Sequence, residues 1–241
     1  NHSKAIPFYE RSITLRRNFV IAHLNLGISL KFAGRVDDAL MIFDRCMRLD
    51  PTLSKTALAQ TNAITGCTFN KAVMLAERGD HQTAIVTFRK AISIAPSAYA
   101  SISSIWTMMG ESHAALGMDR QAEMCYDRAL VVNPLHSPAL IISAQLRLRQ
   151  NRTSDAWSLL ERAVLVSPQS ANVHFHLGLA LLKADQTDRA RSELETAIHL
   201  DNAMVDAYSA LATLERTVGQ NSQAESILRR LVSMSRTFSS L

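Results

Sequence analysis

Small and large apolar residues recur along this chain at helical spacing, and one stretch shows the rule most fully. From Trp106 to Pro134 it reads Trp106, Met109-Gly110, His113 and Gly117, then Ala122, Tyr126, Ala129 and Pro134. Residues three and four apart share a helix face, so the pattern predicts two antiparallel helices joined by a tight turn. A large ring and a small residue one turn apart let the two helices interlock. Gly117 permits the turn, and Pro134, which lacks an N–H, ends the second helix.

The second half of that pattern recurs along nearly the whole chain. Alanine, then an aromatic or leucine four residues on, then a further residue three beyond it, stand at Ala5/Tyr9/Ser12, Ala39/Phe43/Cys46, Ala84/Phe88/Ala91 and Ala122/Tyr126/Ala129. They return at Ala156/Leu160/Ala163, Ala190/Leu194/Ala197 and Ala224/Leu228/Leu231. The leading alanines lie 34, 45, 38, 34, 34 and 34 residues apart. Proline closes the second helix at Pro51, Pro96, Pro134 and Pro168, and Asn202 and then Arg236 hold the equivalent place. Spacing and residue types resemble the tetratricopeptide repeat (TPR), W-x2-L-G-x2-Y…A-x3-F…P, with His113 where a tyrosine is expected. The expected fold is all-α: a right-handed TPR superhelix (α-solenoid) of antiparallel helix pairs, each burying its apolar face against its neighbours. No alternating strand pattern and no Asn-Gly or Asp-Gly hairpin signal competes with it.

Taken in order, residues 1–19 read as the second helix of a truncated repeat, and 20–53 as a full repeat. Residues 54–98 form a repeat with an extended first helix; 99–136, 137–170 and 171–204 are ordinary repeats; 205–236 is the terminal repeat and 237–241 a frayed tail. The interval of 45 exceeds the period by 11 residues. Eleven residues make three helical turns and keep the apolar face in phase. One helix from about Leu53 to Arg78 is therefore expected, with Ser54–Ile64 as its added length. Because the chain opens in mid-repeat, it reads as a piece of a longer protein. Ile227, Leu228 and Leu231 on the last helix have no following helix to cover them.

Composition changes this picture little. Of 241 residues 47% are hydrophobic, with only 8 Gly and 6 Pro, as suits helices. The net charge of +5 is concentrated at the ends, in Lys4, Arg11, Arg16 and Arg17 and in Arg229, Arg230 and Arg236, while the middle is neutral. Phosphate binding wants a contiguous cationic face, so nucleic acid is not an expected partner. No apolar run approaches the roughly 18–20 residues that span a bilayer. No H-E-x-x-H, G-x-S-x-G, P-loop or C-x-x-C motif is present, so no catalytic residue and no metal site are expected. His174 and His176, two apart on a helix, point to different sides.

The candidate chemistry is that of protein binding. Asn25 and Asn70 hold the same place in two successive repeats, and an asparagine offers a donor and an acceptor to a peptide backbone. The repeats of nucleocytoplasmic GlcNAc transferases carry a similar asparagine ladder. Here it stops after two rungs, with Met108, Ile142, His176 and Ala210 following. Leu24, Ile28, Phe32, Phe69, Val73, Ile141, Phe175 and Leu179 are expected to line the concave side with apolar surface. Co-chaperones of this fold grip a carboxylate with Lys and Asn on successive turns. The matching pairs here are Leu24/Ile28, Phe69/Val73 and Thr107/Glu111, which argues against that ligand. Lys31, Arg149, Lys183 and Arg216 close first helices, where a cation either offsets the helix dipole or meets a ligand. Cys46 and Cys67 lie on successive helices, free to pair or to stay buried thiols, and Cys125 is left over. Asn1-His2-Ser3 and Asn151-Arg152-Thr153 are glycosylation sequons, the second at an inter-helix turn.

A more specific resemblance covers roughly residues 20–150. The stretch Ala22-His23-Leu24-Asn25-Leu26-Gly27, Gly34-Arg35, Phe43, Cys46, the lengthened helix with Cys67 and Asn70, and Met108-Met109-Gly110-Glu111 resembles the TMTC family. These are transmembrane and TPR-containing protein O-mannosyltransferases of the endoplasmic reticulum. In that family a membrane-embedded N-terminal part uses dolichyl-phosphate mannose to modify cadherin-type domains, and the C-terminal repeats are lumenal. The resemblance implies an endoplasmic reticulum lumen location and a protein or peptide ligand in the groove, of cadherin type. It implies membrane contact only through a part outside this chain, with no cofactor inside it. It also favours a glycan on Asn151 and a Cys46–Cys67 bridge. The rival expectation is a non-enzymatic cytoplasmic scaffold subunit of a multiprotein assembly.

Overall fold

How closely two helices approach depends on the side chain between them, and in this chain that side chain is repeatedly hydrogen or methyl. The computed structural model describes residues 2–49, 57–95 and 101–238. Among them the elements are thirteen α-helices. Two compact units, Asn1–Asn133 and Pro134–Leu241, divide the chain.

The first unit holds α1 (His2–Leu15), α2 (Val20–Phe32), α3 (Val36–Met47), α4 (Ala57–Glu77), α5 (His81–Ile94), α6 (Ile102–Ala115) and α7 (Asp119–Val132). Consecutive helices pack on one another, and α4 also touches α2 and α6, so α2, α4 and α6 form one layer. The second unit holds α8 (Ser137–Arg149), α9 (Thr153–Val166), α10 (Ala171–Lys183), α11 (Thr187–Leu200), α12 (Val205–Thr217) and α13 (Asn221–Phe238). There α10 touches both α8 and α12, which again makes a layer of first helices. Each unit is a row of helix hairpins, and the fold is the all-α tetratricopeptide-repeat solenoid.

The interlock that the sequence encodes is visible at Gly27, Gly110 and Gly178, which face Phe43, Tyr126 and Leu194 of the second helices. A β-carbon on Gly178 would stand 2.8 Å from Leu194 Cγ, and one on Gly110 would overlap the Tyr126 ring. Ala72 and Ala144 hold the same place opposite Phe88 and Leu160, and all four are fully buried. Every hairpin turn then passes through one residue with left-handed backbone: Gly34, Gly79, Gly117, Asn151, Asp185 and Gly219. The chain returns through the same hydrogen bond each time. Arg35 N–H donates to Leu30 O at 2.9 Å, and Met118, Arg152, Gln186 and Gln220 repeat it to His113, Arg147, Leu181 and Glu215.

Over the described residues helix α4 is long, 21 residues from Ala57 to Glu77. Ala63, Ile64 and Cys67 from this part enter the core around Phe43. The structure joins Cys46 of α3 to Cys67 of α4 by a disulfide. Three ion pairs accompany it: Lys71–Asp44 at 2.5 Å, Arg78–Asp37 at 2.5 Å and Lys31–Glu77 at 2.8 Å. All are partly solvated, so each contributes at most about 1 kcal/mol.

Pro134, Pro168 and Asn202 follow the ends of α7, α9 and α11, as their rigid or capping chemistry predicts. The last helix differs from expectation, running to Phe238 and past Arg236. Ser235, Arg236 and Thr237 contain no breaker, so nothing ends the helix where proline does elsewhere. Residues 50–56, with Pro51 and the expected start of the long helix, lie outside the described residues, as do Pro96 and 239–241.

Two outcomes are expected. Gly110→Ala should lower stability by about 1–3 kcal/mol through overpacking against Tyr126, seen as a lower urea midpoint with an unchanged slope. Thiol titration of the denatured, unreduced chain should count a single thiol, Cys125; a count matching all 3 cysteines would remove the bridge.

Candidate protein-binding faces

In each first helix the residues that pack onto the second helix leave another stripe turned away from it. In the first unit this stripe is Leu24, Asn25 and Ile28 on α2, Phe69, Asn70 and Val73 on α4, and Met108 and Glu111 on α6, all half-buried. The repeated spacing comes from the small residue beside it, Gly27, Ala72 and Gly110, which fixes the rotation of each helix. Phe69 is braced by Phe88, with ring centroids 6.1 Å apart. Phe32 lies farther out, 67% exposed, and stacks on His2 at 4.5 Å.

The two asparagines are not equivalent. Asn70 Nδ2 donates to Gly66 O at 2.8 Å, so its own helix occupies the donor and leaves the amide oxygen as acceptor. Asn25 instead borders a hollow of about 290 Å³ with His2, Tyr9 and Ile28. Glu111 follows Gly110 as Ile28 follows Gly27, and burial alone pushes its carboxyl above the ordinary carboxylate range.

In the second unit the equivalent stripe carries Phe175, His176 and Leu179 on α10 beside Gln145 on α8. His176 Nε2 accepts from the Gln145 amide at 2.7 Å in the arrangement that suits a neutral ring. Burial holds its pKa below the free imidazole value. Ile141 departs from expectation: it is 9% exposed and belongs to the core, the half-buried residue of that turn being Ile142. Lys183 is exposed, and its Nζ donates to Leu148 O at 2.9 Å, satisfying a carbonyl at the end of α8. The dipole role thus accounts for its position.

His174 faces away from His176, between Glu193 Oε2 at 2.6 Å and Pro168 O at 2.9 Å. Asn151 is exposed at the α8–α9 turn with φ 60°. Among the described residues no group of three or more His, Cys, Asp or Glu gathers as metal ligands. No described helix is long and apolar enough to cross a membrane.

Sequence reasoning missed the buried Glu215, 2% exposed, held by Arg191 with Nε–Oε1 at 2.6 Å. It stands three residues after Ala212, the slot of the aromatic that His113 replaces after Gly110. Arg147 fills the same slot after Ala144. A charged residue in an aromatic slot was the available signal.

Four imidazoles, two buried and two half-buried, give the protein an acid sensitivity. His23, His113, His136 and His176 all have depressed pKa values, desolvation being the largest cause in each. The unfolded chain takes up protons near the free value of 6.5 that the folded chain refuses. Their stabilisation is complete above that pH and is lost as pH falls below it. The thermal midpoint followed by circular dichroism should therefore drop between about pH 7.5 and about pH 5.5; a flat midpoint would contradict this.

Comparison with known proteins agrees with the geometry. Tetratricopeptide-repeat family models match residues 143–207 and 68–97. Over 132 residues, 55% of this chain, it is 28% identical to Protein O-mannosyl-transferase TMTC2 of Homo sapiens, a match covering 16% of that protein. Over 113 residues, 46% of this chain, it is 30% identical to the CTR9 homolog of Arabidopsis thaliana, covering 10% of it. The chain therefore spans only a small part of the curated relatives it matches. A chain of the APC/C hetero-tetramer Cut9–Hcn1 superposes with a TM-score of 0.74 and 16% identity, over 98% of this chain and 44% of that one. That likeness speaks for the fold. The chain thus carries tetratricopeptide repeats over residues 68–97 and 143–207, in a fold that generally binds other proteins, and over about half its length its sequence is similar to TMTC2.

Proposed function

We propose that this chain is the lumenal repeat region of a membrane-anchored protein O-mannosyltransferase, holding the protein substrate while another part of the parent transfers the sugar. The observation that carries the reading is the similarity to TMTC2 over 132 residues. The Cys46–Cys67 disulfide supports it, since such bonds persist in oxidising compartments. The exposed sequon at Asn151 is sterically open to a glycan. Sugar transfer from dolichyl-phosphate mannose would belong to the membrane part of such a parent.

The role left to these repeats is recognition. Leu24, Ile28, Phe69 and Val73 offer an apolar bed, while Asn25 and the Asn70 amide oxygen meet polar groups of a bound backbone. Rigid helices hold these side chains before binding, so little ordering entropy is lost on the protein side. Cadherin-type domains are the proposed ligand. The CTR9 similarity fits a second reading equally, a non-enzymatic cytoplasmic scaffold subunit of a multiprotein assembly.

Titration of the purified chain with a folded cadherin-type domain tests the first reading. Binding is expected, with Asn25→Ala plus Asn70→Ala weakening it about tenfold, the order of ~1.4 kcal/mol. Absent binding would remove this ligand, and affinity unchanged in the double variant would remove the role of the two asparagines. In cells, endoglycosidase treatment of the parent should shift its mass through Asn151; an unmodified Asn151 would favour the scaffold.

A further inference from the structure

The inner stripe of the first unit is apolar and amide-bearing except at one point. Glu111 occupies the place of Ile28 and Val73, and the second unit puts Gln145, Leu179 and Thr213 there. It is the only charged side chain in this row of the six hairpins. Its helix α6 lies against α4, and Phe69, Val73 and Met108 pack around one shared core. Among the described residues no hydrogen bond or ion pair reaches its carboxylate, and no charged neighbour offsets its burial. A carboxylate drawn from water without a partner costs stability. No described residue of the unit compensates that cost, whereas the neighbouring carboxylates Asp37, Asp44 and Glu77 each have a cation.

We infer that this face takes a partner segment in which a lysine or arginine stands among apolar side chains, with Glu111 receiving the cation. The inference rests on the reading of the face as a protein-binding surface and adds the chemistry of the ligand. The neighbouring stripe of Phe69 and Val73 beds the apolar side chains, and the Asn70 amide oxygen is open to a backbone N–H. Packed helices lie about 8–10 Å apart and an extended chain advances about 3.3 Å per residue. The cation therefore stands two to three residues from the apolar side chain. An acidic segment is excluded by repulsion, and a neutral one leaves the half-buried carboxylate unpaired.

The test uses the full chain and three labelled, acetylated nonapeptides. Each places leucine two residues before a variable position occupied by lysine, glutamine or glutamate. Fluorescence anisotropy should show the lysine peptide binding at least about tenfold tighter than the glutamine one, and glutamate weakest, a spread of the order expected for a desolvated charge pair. Glu111→Gln should erase the preference while keeping or raising the thermal midpoint, which separates lost recognition from lost folding. Equal affinities for lysine and glutamine peptides, or a preference that survives in Glu111→Gln, would overturn the inference and leave the protein-binding reading standing. If none of the three binds, the protein-binding reading of this face falls and the inference with it.

Discussion

The approach of two helices at a residue without a bulky side chain is the constraint on which the other features depend. Gly27, Gly110 and Gly178 let a phenylalanine, a tyrosine and a leucine press against helix backbone, and alanines do the same elsewhere. Because each contact fixes the rotation of its first helix, it also fixes which residues look away from the hairpin. Binding chemistry and packing are thus two faces of one spacing rule. The last hairpin shows the rule loosened: Leu228, opposite Ala212, is 39% exposed. A cleft of about 700 Å³ opens beside it, lined by Ile198, Tyr208 and Ile227 among others.

Helices satisfy their own backbone, so a surface made of them offers a partner only side chains. In the binding role proposed for the inner stripes, selectivity therefore rests on the few polar groups rather than the many apolar ones. Asn70 is already half spent on Gly66 O, His176 is tied to Gln145, and Glu111 has no partner among the described residues. Leucines and valines supply area; these polar groups supply choice.

Much of the architecture was legible in the sequence because a repeated unit states the same rule several times. The period, the small-against-large pairs and the helical phase through the insertion before Cys67 were readable for that reason. Single events were harder to read. Asn151 and Asp185 replace glycine in left-handed turns, a choice visible only once the turn is seen to be the same everywhere. Ile141 and Ile142 are adjacent and alike, and a rotation of part of a turn decides which is buried. The helical end of α13 followed from an absence of breakers that the repeat comparison overrode. Glu215 and Arg191 come from different helices, and no local pattern announces such a pair. Arrangement across the inner layer could be guessed; the partnership of each polar atom could not.

The bond between Cys46 and Cys67 has a mechanical consequence. In a row of stacked hairpins each neighbour is held only by its neighbours, so unravelling can advance one hairpin at a time. A covalent tie from α3 to α4 crosses the boundary between two hairpins and welds them into one block. Tension applied along the chain would extend the other segments, while the residues between Cys46 and Cys67 stay closed in their loop and cannot be drawn out.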